Sequence, residues 1–250
     1  MKGYVMSVVM LTAVSLGWGS AVTAQVGEPK AVPVEFFACN WVEGKGMDDL
    51  EKVVADFQKY ADANDSNYSA WLLLPQFHQP GIFDVGWLGS WPSGTDFGVS
   101  QENWQSKGRD MAAAFAEVVE CGEHIMALSK PINAPEGTPE DGILLVAACS
   151  LKDGKTLQDA YAAHLKSGLV MKGQGSLGVS WFYMPALGTG HMDFDYWHLV
   201  GFYRYSDMGA TMEMYVNEGG MKKSQELIGS TSTCDAWTVF DAQSVRVGGS

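Results

Sequence analysis

The chain of 250 residues matches itself at an offset of 110 residues, and this self-similarity limits how it can fold more than any single motif does. Ala38-Cys39 answers Ala148-Cys149, Gly44-Lys45 answers Gly154-Lys155, and Asp49 answers Asp159. Trp71-x-x-x-Pro75 falls on Trp181-x-x-x-Pro185, and Trp87 on Trp197. With one added residue, Asp96-Phe97-Gly98 meets Asp207-Met208-Gly209, Trp104 meets Tyr215 and Gly108 meets Gly219. Residues 131–141, rich in proline, glycine and acids, read as a linker between halves at 34–130 and 142–247.

Within the first half, residues 34–40 form a short apolar run. Met47, Leu50, Val53, Val54 and Phe57 follow at helical spacing, with Asp48 and Asp49 favourable in the first turn. Residues 68–75 and 83–91 read as two strands around a Pro80-Gly81 loop, residues 100–120 as a helix and residues 121–129 as a last strand. This strand-helix-strand-strand-helix-strand order is that of a ferredoxin-like unit, and the second half repeats it. The strands are apolar on both faces: Phe36 and Ala38 alternate with Phe37 and Cys39, and Leu72 and Leu74 with Trp71 and Leu73. Alternate residues of a strand point to opposite sides, so each sheet needs two covers. Two helices of one half cover one face, and the sheet of the other half is the simplest cover for the second. In this the chain resembles the dimeric α/β-barrel superfamily, in the form where a tandem repeat in one chain builds the pseudo-dimer. The expected fold is α+β, two ferredoxin-like repeats packed sheet to sheet. The resemblance rests on topology and duplication and spans nearly the whole chain after residue 24. It implies cavities like those that serve cofactor-free oxygenases and isomerases, or that hold haem in one half of some tandem members.

Lys2, the apolar run at residues 5–18 and the small residues Ala21-Val22-Thr23-Ala24 read as a signal peptide cleaved after Ala24, which sends the chain to the periplasm or outside the cell. No later stretch approaches the roughly 20 apolar residues of a membrane span, so no membrane insertion is expected. In an oxidising compartment the even set Cys39, Cys121, Cys149 and Cys234 reads as disulfides, and three pairings are open by count. In a ferredoxin-like sheet the first and fourth strands are antiparallel neighbours, so the end of the first lies beside the start of the fourth. That topology pairs Cys39 with Cys121 and Cys149 with Cys234. Sixteen basic against 29 acidic residues leave a net charge of −13, which argues against nucleic acid and anionic membranes as partners.

Familiar motifs fail on context. Gly173-Gln174-Gly175-Ser176-Leu177-Gly178 follows a helix and precedes a strand, the reverse of a dinucleotide site, and Cys149 stands where a P-loop ending in Gly154-Lys155-Thr156 needs glycine. The five histidines have no ligand spacing within one element, and no metal site is expected. Comparing the halves is more informative: Val53, Val54 and Phe57 become Ala163, His164 and Ser167. Unless the sheet beneath compensates, the lost bulk leaves a cavity. The expected ligand-binding set is His164 and Ser167 above sheet aromatics Trp181, Tyr183 and Trp197. The other reading has large residues such as Phe182 and Tyr196 filling that space. His164, His198 and Asp195 are the catalytic candidates, because a carboxylate-oriented imidazole moves protons. The chain thus reads as an exported binder of a small apolar or aromatic molecule, without a cofactor. A cofactor-free oxygenase or isomerase, or a haem-binding enzyme, is the alternative, and a pocketless structural or interaction protein the third reading. The oligomeric state is left open.

Overall fold

The computed structural model describes residues 29–135 and 140–248. The proposed signal peptide and part of the linker lie outside them. The elements run β1 (Val32–Trp41), α1 (Met47–Ala63), β2 (Ser69–Phe77), β3 (Val85–Ser90), α2 (Gly94–Lys107), α3 (Arg109–Ala116) and β4 (Val119–Asn133). They continue as β5 (Gly142–Leu151), α4 (Leu157–Gly173), β6 (Val179–Leu187), β7 (Tyr196–Phe202), α5 (Tyr205–Asn217), α6 (Gly220–Leu227), β8 (Ser232–Cys234) and β9 (Thr238–Arg246). No helix among the described residues is long and apolar enough to cross a membrane.

The strands pair antiparallel in the order β7-β6-β4-β1-β3-β2-β9-β5, and β5 returns to β7. The result is an α+β fold around a closed antiparallel barrel of eight strands, with the short β8 extending the ladder at the end of β5. Where two separate facing sheets were expected, the strands form one ring, joined β4 with β6 and β2 with β9. Edge pairing leaves no open row of backbone donors and acceptors around the ring. Inside, Leu73, Leu144, Leu199 and Phe240 pack with Trp71, Trp181, Tyr183 and Trp197. The outer faces carry separate cores under the helices, one built on Leu50, Phe57 and Leu72 and another on Tyr161, Phe182 and Tyr196.

Two elements expected whole are broken. Instead of one helix over residues 100–120, α2 and α3 meet at Gly108, where a Cβ would lie 2.7 Å from the Trp104 ring and carbonyl. The last strand is continuous as β4 but is split into β8 and β9 around residues 235–237.

Cys39 bonds to Cys121 and Cys149 to Cys234, each pair lying in register across neighbouring strands. They close loops of 82 and 85 residues. In the chain-entropy account each bond is worth about 4 kcal/mol, through restriction of the unfolded chain. A Cys149→Ser/Cys234→Ser double variant should therefore lose about 4 kcal/mol in urea unfolding. A loss under 1 kcal/mol would show that the unfolded chain is not held by this link.

Candidate functional site

Helix α4 sits over β5, β6 and β7, held at its start by a reciprocal cap: the Thr156 side chain accepts from the Asp159 backbone and Asp159 accepts from the Thr156 backbone. This fixes which residues face the sheet, namely Ala160, Ala163, His164 and Ser167. His164 and Ser167, together with α5 and α6, roof a cavity of about 700 Å³. Leu145, Val200 and Phe202 from the sheet, Met171 from α4 and Thr211 and Tyr215 from α5 contribute walls. Lys152, Lys172 and Asp235 carry its charges.

Two imidazoles share this region, with ring centroids 4.2 Å apart. His164 is 1% exposed. Its Nε2 is 3.0 Å from the Tyr196 hydroxyl, which is 2.6 Å from the Ser232 hydroxyl, while its Nδ1 has no partner. Burial lowers its pKa to about 4 and pushes that of Tyr196 up to about 12, so both are neutral at pH 7. His198, on β7, is only partly covered and its imidazole makes no hydrogen bond among the described residues. Burial, and secondarily the neighbouring His164, hold its pKa well below the usual value. Trp237 stands opposite at 5.1 Å, delivered there by the break between β8 and β9. It is 40% exposed.

The predicted site residues separate into three groups. His164, Ser167 and His198 line the cavity. Trp181 and Tyr183 instead line a second space of about 420 Å³ reached from the barrel interior, and Trp197 packs in the interior core, so none of the three floors the cavity under α4. Trp181 and Tyr183 belong to the inward face of β6, and for Trp197 the error is one of register. Val85 faces Cys39 and Tyr196 faces Cys149, so Trp87 matches His198 and not Trp197. The added residue lies before β7, and a one-residue slip moves a side chain to the opposite face. Asp195 corrects likewise: it matches Asp84, and each accepts from a backbone N–H two residues beyond the cysteine, Leu151 at 2.7 Å and Trp41 at 3.0 Å. It fastens the end of β5 and orients neither histidine. The sulfurs of Cys149 and Cys234 lie within 4.8 Å of a His164 nitrogen, but they are bonded to each other.

Sequence reading missed Trp237, and it missed that Trp87 gives way to His198. In the first half Phe57 packs edge-on against Trp87, with centroids 5.2 Å apart. In the second half Ser167 and His198 hold those positions, and both line the cavity.

No protein-family model matches the chain, and no curated protein matches it. Solved structures do. An anthrone oxidase-like protein is 11% identical, with 89% of this chain and 95% of that one covered and a TM-score of 0.53. A mutant chlorite dismutase from Candidatus Nitrospira defluvii is 11% identical over 85% and 90%, with a TM-score of 0.51. A heme-binding protein from Thermus thermophilus is 10% identical over 85% and 91%, with a TM-score of 0.50. At such identities the likeness is one of fold alone.

Neutral burial of His164 has a measurable sign. The unfolded imidazole takes a proton near pH 6.5 and the folded one near 4, so the unfolded state binds more protons between them and stability falls as pH falls through that window. The shift corresponds to about 3 kcal/mol. Urea midpoints at pH 7 and 4.5 should therefore diverge more in the wild type than in His164→Val, which carries the residue of the matching first-half position. Parallel pH profiles would refute the assignment.

Proposed function

We propose that the cavity under α4 binds a flat, largely apolar molecule carrying carboxylates, and that haem is the ligand of this kind it fits best. The single observation that carries the reading is the neutral, open imidazole of His198 set into a cavity of about 700 Å³ with two lysines among its lining residues. The volume is within the usual range for small-molecule sites. A neutral imidazole is a metal ligand, whereas a protonated one is not. In a chain of net charge −13, Lys152 and Lys172 are the natural partners for two propionates. His198 would hold the iron, and the Trp237 ring would lie beside it. Bound haem supplies one-electron and oxygen chemistry. His164, hydrogen-bonded to Tyr196 and packed against His198, would hold the orientation of the His198 ring.

The expectation of a cofactor-free binder gives way to this reading, because the proteins of like fold include one described as heme-binding and a chlorite dismutase. The same reading includes two tandem ferredoxin-like repeats, at residues 34–130 and 142–247, with a linker at 131–141. It is supported by the strand orders β4-β1-β3-β2 and β9-β5-β7-β6, which place corresponding strands alike. Export after a signal peptide at residues 1–24 belongs to the proposal too, and both disulfides are compatible with it.

Titration of the protein with hemin, followed by Soret absorbance, should give a saturable one-to-one complex. His198→Ala should weaken it tenfold or more and shift the band, a loss of about 1.4 kcal/mol or greater. Lys152→Gln/Lys172→Gln should weaken hemin but not its dimethyl ester. A wild-type protein without a saturable Soret change, or a His198→Ala protein that matches it, would overturn the reading.

A further inference from the structure

The first half holds its own cavity, of about 470 Å³, between α1, α2, α3 and the sheet. Phe57, Tyr60, Trp87, Trp104 and Phe115 give it aromatic walls. Against them stands Glu35, a carboxylate only 8% exposed. Tyr68 donates to Glu35 Oε1 at 2.6 Å, His124 Nε2 donates to Oε2 at 2.8 Å, and Trp87 Nε1 donates in turn to the Tyr68 hydroxyl at 2.6 Å. His124 also stacks on Phe37, with centroids 3.7 Å apart, and its side chain is half exposed.

The fold does not require an acid here. Glu35 faces Gly89 across the sheet, and at the matching place in the second half Leu145 faces Val200. A leucine serves the same position against the same kind of helical cover. The arrangement around the acid is specific: a Cβ on Gly89 would overlap the Tyr68 hydroxyl, so this glycine makes room for the ring that reaches Glu35. Burying a carboxylate opposes folding unless something compensates. Its two present donors leave capacity, since a carboxylate accepts about four hydrogen bonds. Among the described residues no lysine or arginine lines this cavity, in contrast to the one under α4.

We propose that the first-half cavity is a second, separate ligand site, selective for an organic cation of the arylalkylamine class. The ammonium would take the free acceptor positions of Glu35. The aromatic walls would cover its apolar body and attract its charge through their ring faces. The two halves would thereby sort small molecules by charge, with cations in the first and carboxylates in the second.

The test uses the full protein and three probes of one shape: 2-phenylethylamine, 2-phenylethanol and phenylacetate, read by tryptophan fluorescence and calorimetry. The amine should bind at one site, at least about tenfold more tightly than the alcohol, and phenylacetate should not compete. Glu35→Leu, which installs the residue of the matching second-half position, should fold as the wild type does by circular dichroism and lose the preference for the amine. Glu35→Gln should lose it as well. Equal affinity for amine and alcohol, or an amine preference that survives both substitutions, would overturn the proposal. The Soret titration of the second half should be unchanged in Glu35→Leu, so each site can fail without the other.

Discussion

Sheets with oily residues on both faces dictate this structure. Helices can cover one side of each, and the other side must be shut away from water by something of similar extent. Closing the strands into a ring meets that need with the protein's own material. The inward residues of both halves, Leu73 and Trp71 with Leu144, Leu199 and Phe240, share one interior. The joins β4 to β6 and β2 to β9 also satisfy backbone groups that an open sheet would leave bare. The interior keeps a space of about 420 Å³ beside Trp181 and Tyr183, and the two larger cavities lie on the outer faces, beneath the helices.

There the cavities of the two halves differ at particular positions. Phe57 and Trp87 wall the smaller first-half cavity, and Ser167 and His198 line the larger one in the second half. Glu35 places a charge where Leu145 does not. The frame itself is kept by parts that recur at both ends of the molecule: a disulfide joining the first strand of each half to its last, and an aspartate, Asp84 or Asp195, that ties down the end of that first strand. Such fixed points let the residues between them change without moving the backbone.

Much of this was legible in the sequence, for reasons that separate hits from misses. The cysteine pairing followed from which strands must be neighbours, and it needs topology alone. His164 and Ser167 could be placed on the cavity because α1 and α4 begin 110 residues apart, so a single offset carries through the helix. Trp181, Tyr183 and Trp197 were misplaced because strands have a period of two. Trp181 and Tyr183 belong to the inward set of β6, and the offset for β7 changed by one residue in an irregular loop where no periodic signal marks it. Trp237 was invisible for a further reason: nothing local announces that β4 stays continuous while its counterpart splits, and only the split brings that ring to His198.

The placing of β9 has a consequence for the order in which the molecule can be made. It follows every other strand in the chain, yet it is the partner of both β2 and β5. A growing polypeptide therefore holds β2 with one side unsatisfied throughout synthesis of the second half, and the ring cannot lock until residues 238–246 arrive. Until then nothing bridges β2 and β5, and the barrel stays open along that seam.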